Sequence, residues 1–272
     1  MKTNTFNFHR FANVLLWETM LNKRKLTTWA LFFFGLIAIP QLIGLTFARN
    51  SSTIEATSSI AGVIFLAYLI AGVANIFTNI KTKQERINEF TLPASNLEKF
   101  IARYLLTVVG MSLAAIIGFL AGDILQYLLT LIIGQGQQGE ATALALDFNN
   151  NFDGAIMVNS HPDETIYPST IFLGIISLHA LFLLFGSIFH KHPVVMSILS
   201  WMALGILSTL FIGGITGGIM NFVASGYVIY IYDAWLNVFL DILGLAFIVF
   251  SFWFAYRKYT RLQVINNRWF NK

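Results

Sequence analysis

The sequence predicts an all-α integral membrane protein with six transmembrane helices, and two observations lead to this prediction. The chain has 272 residues, of which 56% are hydrophobic and only 11% are charged, whereas a typical soluble domain carries about 25% charged residues. Its apolar residues are also gathered into long runs. A helix needs roughly 20 such residues to cross about 30 Å of hydrocarbon. We therefore expect a single membrane domain over residues 1–272, with lipid as its main solvent.

Six segments meet this length requirement. They are apolar on all sides, which favours helices over the alternating strands of a membrane barrel. The predicted spans are residues 27–47, 60–80, 104–124, 171–189, 194–212 and 236–256. The third apolar run is able to continue through residues 128–133, so its outer end is left open.

The connections between the spans differ strongly in charge. Sixteen of the 17 Lys and Arg residues fall in the segments on one side, and only Arg49 falls on the other. Because basic residues concentrate on the cytoplasmic side, both termini are expected in the cytoplasm. The same distribution accounts for the net charge of +4 without any binding of nucleic acid.

Three segments outside the spans have patterns of their own. Residues 6–25 predict an amphipathic helix on the membrane surface, with a solvated tail as the alternative. The long outer connection, residues 134–170, is acidic and predicts a short helix near residues 140–148. The second outer connection, residues 213–235, predicts a re-entrant segment or hairpin, since its apolar part is too short to span.

No motif for catalysis or cofactor binding is complete. The GxGxxG match at residues 134–139 does not sit between a strand and a helix, and it therefore predicts a flexible loop. No GxxxxGK[ST] motif occurs, so the chain is not expected to hydrolyse ATP. The cysteine count is zero, and His190-Lys-His192-Pro193 predicts a tight turn rather than a metal site. We expect no enzyme, cofactor or metal site in this chain.

Two kinds of residue within the spans leave alternatives open. Asp123 and Asp241 lie toward the outer ends of the third and sixth spans. A carboxylate at that depth is costly, so each is a candidate pathway or proton contact, with an interfacial carboxylate as the alternative. Gly118 and Gly122 have the small-xxx-small spacing that lets helices approach closely, either within the chain or between two copies.

The connection between the second and third spans, residues 81–103, is unusually charged. It holds five basic and three acidic residues, which lie on both sides of Pro93. Ser95-Asn-Leu-Glu98 is a capping-box pattern that predicts a helix start, and Pro93 predicts a break before it. Topology alone needs only basic residues. The added acidic residues and the ordered cap therefore favour a helical elbow that docks on a protein partner.

The order of residues in this connection resembles the loop after the second span of type-2 ABC exporter permeases. The matching residues are Glu85, Arg86, Phe90, Leu92, Pro93, Ala94, Ser95, Glu98, Lys99, Phe100 and Arg103. The segment LPASNLEKF is similar to permeases of Bacteroidota in particular. One departure is that Asn88 and Glu89 stand where many relatives carry a Gly-Thr pair.

The resemblance implies a permease subunit of the bacterial cytoplasmic membrane. A second copy or a paralogue would complete the pathway, and a separate ABC ATP-binding subunit would hold ATP and Mg. The coupling elbow would dock on that subunit through Glu85, Arg86, Phe90, Leu92, Pro93, Ser95, Glu98 and Lys99. The alternative is a membrane protein that binds partners without ATP coupling, such as an assembly or immunity factor. The transported substrate stays open.

Overall fold

The computed structural model describes residues 6–43, 52–80, 82–133, 141–147, 168–189, 191–223 and 234–261, and its regular structure is entirely helical. Four helical segments in this part of the chain are long and apolar enough to cross a membrane: Phe8–Ile43, Ala56–Ile80, Asn96–Leu129 and Asp241–Thr260. Two shorter apolar helices, Phe172–Ile188 and Pro193–Ser208, fall on the fourth and fifth predicted spans. The chain is thus a helical membrane protein, and the count of six spans stays a prediction.

The described part of the chain contains eleven helical segments. In chain order they are α1 (Phe8–Ile43), α2 (Ser52–Ala71), a 3₁₀ helix (Gly72–Ile80), α3 (Lys83–Thr91), α4 (Asn96–Leu105), a π-helical turn (Leu106–Gly110), α5 (Met111–Ile133), α6 (Ala141–Leu146), α7 (Pro168–Ile188), α8 (Pro193–Val223) and α9 (Ala234–Thr260). They divide into two compact units. The first unit comprises Met1–Gly72 and Leu92–Asn159, and the second comprises Val73–Thr91 and Ser160–Lys272.

Helix α1 joins the predicted surface helix and the first predicted span into one element. It is 36 residues long, or about 54 Å, which exceeds the roughly 30 Å of the hydrocarbon. No Gly or Pro occurs before Gly35, so the local sequence contains nothing that ends a helix there. The charged cluster at residues 23–25 therefore lies inside a continuous helix and not at a break between two elements.

The N-terminal part of α1 buries one face of the helix predicted over residues 6–25. Phe8 at its start is exposed. The buried positions follow a spacing of three and four residues, and they are Phe11, Val14, Glu18 and Asn22. Phe11 and Val14 pack with Ala102 of α4. The stripe thus covers another helix of the chain instead of facing only the membrane surface.

The first unit is built around three aromatic rings. Phe33 of α1 and Phe119 of α5 meet edge to face with their ring centroids 4.9 Å apart, and Phe65 of α2 lies 5.9 Å from Phe119. Gly118 and Gly122 of α5 face α1 in the same chain, where backbone and side-chain atoms lie within 3.4 Å of the position of a Cβ. Packing within the chain therefore explains these two glycines.

The opposite face of the third predicted span exposes a stripe of large apolar side chains. Its members recur every three or four residues, and they are Val109, Leu113, Ile117, Leu120, Ile124 and Leu128. Contiguous exposed apolar surface of this kind is rare on soluble proteins. This exposed apolar face is therefore suited to contact with lipid.

The second unit packs α7, α9 and the 3₁₀ helix around small residues. Gly186 of α7 lies against Ala74 of the 3₁₀ helix, so that a Cβ at Gly186 would be 2.5 Å from the Ala74 backbone. Helix α9 buries Ser251, Ala255 and Tyr259, which share one face at a spacing of four residues. This face lies at the C-terminal end of the last predicted span.

The predictions for the outer connections are met in part. Helix α6, Ala141–Leu146, confirms the short helix expected near residues 140–148, while 134–140 and 148–167 lie outside the described residues. The GxGxxG segment falls in that undescribed part. Helix α8 continues to Val223, eleven residues beyond the predicted end at 212, and 224–233 are not described. His192 has a φ of 51° before α8, as a tight turn requires, whereas His190 is not described.

Candidate functional site

The charged connection between the second and third predicted spans is the candidate site, and its two parts belong to different units. Residues 82–91 lie in the second unit and residues 92–103 in the first. Each part forms its own short helix, α3 or α4, and the chain turns between them where the Ala94 amide donates to the Leu92 carbonyl at 2.8 Å. Pro93 lies within this turn.

Helix α3 starts with a reciprocal cap that the sequence analysis missed. The Glu85 amide donates to Thr82 Oγ1 at 3.2 Å, and the Thr82 amide donates to Glu85 Oε2 at 2.9 Å. This is the arrangement of a capping box, in which two otherwise unpaired amides are satisfied together. Glu85, expected only as a docking residue, therefore also stabilises its own helix.

The inner face of α3 is fixed by two side chains. Glu89 is buried and accepts a hydrogen bond from the hydroxyl of Tyr259 on α9. Arg86 Nε donates to the Ile80 carbonyl at 3.0 Å, at the end of the 3₁₀ helix. The Tyr259 ring lies nearly parallel to that of Phe77, with centroids 6.2 Å apart. Helix α3 is thus attached both to the segment before it and to the last helix of the unit.

The outer face of α3 is polar with one exposed aromatic ring. Phe90 is 45% exposed. Lys83, Gln84 and Asn88 are exposed on the same helix, and Ile87 is half-buried. Single exposed apolar residues are ordinary on protein surfaces. Phe90 is notable because its helix is too charged to lie in lipid, so the ring faces water or a protein.

Helix α4 begins with the capping box that the sequence predicts. The Glu98 amide donates to Ser95 Oγ at 3.2 Å, and the Ser95 amide donates to Glu98 Oε2 at 2.8 Å, which confirms the prediction. Glu98 Oε1 also accepts from the Asn7 amide at 2.7 Å and from Arg10 Nη2 at 3.0 Å. Glu98 and its neighbour Lys99 are both buried, so these two side chains do not present a surface to a partner.

A second ion pair joins α1 and α4 about two helical turns further along α1. Arg103 Nε donates to Glu18 Oε1 at 2.7 Å, and both side chains are at most 4% exposed. Asn22 Nδ2 donates to Glu18 Oε2 at 3.2 Å. The sequence analysis counted Arg103 among the basic residues and among those that carry the resemblance, and it missed Glu18. The available signal was the spacing of Glu18 and Asn22, which continue the buried positions of Phe11 and Val14 along α1.

The two intramembrane carboxylates lie in different units. Asp123 Oδ2 accepts a hydrogen bond from the Thr142 amide at 2.7 Å, at the start of α6. Asp241 Oδ1 is buried without a hydrogen-bond partner among the residues that the structure describes. These residues also contain no group of three or more His, Asp or Glu side chains that would suit a metal ion. One oxygen of Asp123 thus has a structural partner, while its Oδ1 is, like Asp241 Oδ1, buried without a hydrogen-bond partner in the described part of the chain.

We expect Asp123→Ala to lower the free energy of unfolding by about 1 kcal/mol, the usual cost of removing a helix cap. Asp123→Asn should cost less, because its Oδ1 is still able to accept from the Thr142 amide. Thermal unfolding in detergent measures both variants. Equal loss in the two would contradict the cap and point to the charge of Asp123 itself.

Comparison of the chain with protein-family models, curated proteins and solved structures gave no match. The resemblance to type-2 ABC exporter permeases therefore stays a prediction from the residues quoted above. A function for this chain has to follow from the chemistry of α3, α4 and the helices that hold them.

Proposed function

We propose that this chain is the membrane-spanning permease subunit of an ATP-driven ABC exporter. It would lie in the bacterial cytoplasmic membrane with both termini in the cytoplasm. A separate ABC ATP-binding subunit would hold ATP and Mg, and a second permease copy or a paralogue would complete the pathway. The observation that carries this proposal is Phe90, an exposed ring on a polar helix whose other face is attached to the chain.

The properties of α3 suit a docking element. A helix of nine residues is too short to be stable in isolation, so its order depends on the cap at Glu85 and on the burial of Glu89. Once attached in this way, it presents a fixed face. Interfaces concentrate their binding energy in a few anchors, which are often aromatic, and α3 offers Phe90 on its exposed face.

Not every residue of the predicted elbow takes part in this docking surface. Glu98 and Lys99 are buried, and Ser95 is engaged in the α4 cap. Leu92 is half-buried and Pro93 is exposed, but both belong to the first unit. The proposal therefore centres the contact on the exposed Phe90 of α3. Glu85 and Arg86 are half-buried and are bonded within the chain, so they position this face, and the other residues of the elbow set the start of α4.

A contact with substrate or protons is proposed for Asp241 rather than for Asp123. One oxygen of Asp123 already accepts the Thr142 amide. Asp241 is half-buried in α9 and exposed apolar side chains flank it in sequence. Because a carboxylate in such surroundings is costly, it is a candidate for function.

We expect Phe90→Ala to weaken binding of the ATP-binding subunit by about 30-fold, since an interface anchor is often worth roughly 2 kcal/mol or more. Lys83→Ala, on the same exposed face, should change the affinity by less than about fivefold, as isolated surface charges do. Phe90→Tyr keeps the ring and should bind nearly normally. The measurements are co-purification with an ATPase that has a Walker A motif and is encoded beside this chain, and stimulation of its ATP hydrolysis.

The outcome separates the two functional classes. If Phe90→Ala folds normally and leaves both co-purification and ATPase stimulation unchanged, α3 is not the docking helix. If no such ATPase binds the unaltered chain, the alternative of an assembly or immunity factor without ATP coupling takes the place of the permease.

A further inference from the structure

The hydrogen bond between Tyr259 and Glu89 joins two segments that are 170 residues apart in sequence. Tyr259 is the last buried residue on the α9 face that also holds Ser251 and Ala255. Glu89 is the buried residue of α3. The bond therefore links the short helix proposed to dock on the ATP-binding subunit to the cytoplasmic end of the last predicted span.

We propose that Tyr259 is a positioning residue that holds α3 on α9, so that a displacement of α3 is transmitted to the last predicted span. Only the second part of this inference, the transmission of a displacement, rests on the proposed function. The first part is that Tyr259 keeps α3 in place. It concerns this chain alone and can be tested without any partner.

Burial makes this bond more than a surface contact. Glu89 and Tyr259 are 3% and 5% exposed, and a hydrogen bond to a buried carboxylate contributes more than one at the surface, because it offsets part of the cost of desolvation. On the rest of α3, the Glu85 cap and the bond from Arg86 to Ile80 are local in sequence. Such local bonds hold the helix together but do not attach it to α9. Helix α9, in contrast, extends from Ala234 to Thr260.

The chain offers a substitution that removes only the hydroxyl. Tyr259→Phe keeps the ring that lies against Phe77, so its effect reports the bond to Glu89 and not a loss of packing. Glu89→Gln keeps an acceptor at the same place and should retain most of the attachment. Tyr68→Phe removes a hydroxyl that donates to the Thr107 carbonyl in the first unit, and it is the matched control for loss of a tyrosine hydrogen bond.

The first experiment measures amide hydrogen exchange of residues 83–91 in the purified full chain, in detergent or lipid nanodiscs. We expect Tyr259→Phe to speed the amide exchange of α3 by about tenfold. The free energy of local opening should fall by the contribution of one buried hydrogen bond. Tyr68→Phe should leave the exchange of α3 unchanged. If Tyr259→Phe leaves exchange of α3 unchanged in a folded protein, the attachment is overturned.

The second experiment uses the complex with the ATP-binding subunit. We expect Tyr259→Phe to keep co-purification, since Phe90 is intact, but to reduce the stimulation of ATP hydrolysis by transport substrate or lipid at least several-fold. Normal stimulation combined with faster exchange of α3 would overturn the transmission and leave the attachment standing. Failure of the unaltered chain to bind any ATPase would instead refute the proposed function, and the exchange result would be unaffected.

Discussion

Replacing Gly118 with alanine is expected to lower the free energy of unfolding by about 3 kcal/mol, at the upper end of the usual cost of overpacking. A Cβ at this position would lie 2.2 Å from the Ala30 carbonyl oxygen and 3.0 Å from the Phe34 amide nitrogen. Both contacts are with backbone atoms, which no rotamer change can move. Helices α1 and α5 would have to separate, and the ring contact between Phe33 and Phe119 would be lost with them.

Two glycines provide matched controls for this variant. Gly174 and Gly205 also lie in helices, and among the described residues nothing beyond the glycine's own helix turn lies within 4 Å of a Cβ at either position. Alanine there should be neutral or should stabilise by up to about 1 kcal/mol, because glycine is the poorer helix former. Thermal or denaturant unfolding in detergent compares the three variants. Equal stability of Gly118→Ala and Gly205→Ala would show that α1 and α5 are not packed as described.

The small residues of α5 are expected to form a graded series. At Gly122 a Cβ would meet mainly the Ile37 side chain, at 3.1 Å, and a side chain is able to shift slightly. Gly122→Ala should therefore be milder than Gly118→Ala. This order tests packing inside the chain directly, because an interface between two copies would not depend on Ala30 and Phe34.

Local sequence was sufficient to predict the features that depend on neighbouring residues. The capping box at Ser95 and the short helix α6 follow from patterns within about ten residues. The continuity of α1 was missed because the cluster at residues 23–25 marks a membrane boundary in composition. A helix does not end where its surroundings change, however. It ends where the backbone meets a breaker, and none occurs before Gly35.

The long-range polar contacts could not be predicted from the sequence. Glu18 and Arg103 are 85 residues apart, and Glu89 and Tyr259 are 170 apart. Periodicity shows that a residue lies on a buried face, but it does not name the helix that the face meets. The sequence analysis therefore assigned Glu98 and Lys99 to a partner-facing surface, whereas the structure buries both. The exposed Phe90, on the same connection, remains available to a partner.

The ion pair between Glu18 and Arg103 is expected to give the second large effect. Glu18→Met should lower the free energy of unfolding by about 3–5 kcal/mol, because it leaves the Arg103 guanidinium buried without its carboxylate. Asn22 would not add to this loss, since its Nδ2 also donates to the Glu18 carbonyl at 2.9 Å. Arg10→Met is the comparison: Arg10 is 28% exposed, and Glu98 would keep the amides of Asn7 and Ser95. That variant should cost about 1 kcal/mol or less.

The double variant Glu18→Met with Arg103→Met decides whether the pair acts as a unit. When both charges of a buried pair are replaced by apolar side chains of similar length, stability is often unchanged or higher. We therefore expect the double variant to regain most of the stability that either single variant loses, which amounts to a coupling energy of several kcal/mol. Unfolding midpoints of the four proteins in one detergent give this quantity. If the losses of the two single variants simply add, Glu18 and Arg103 stabilise the first unit independently and do not pair between α1 and α4.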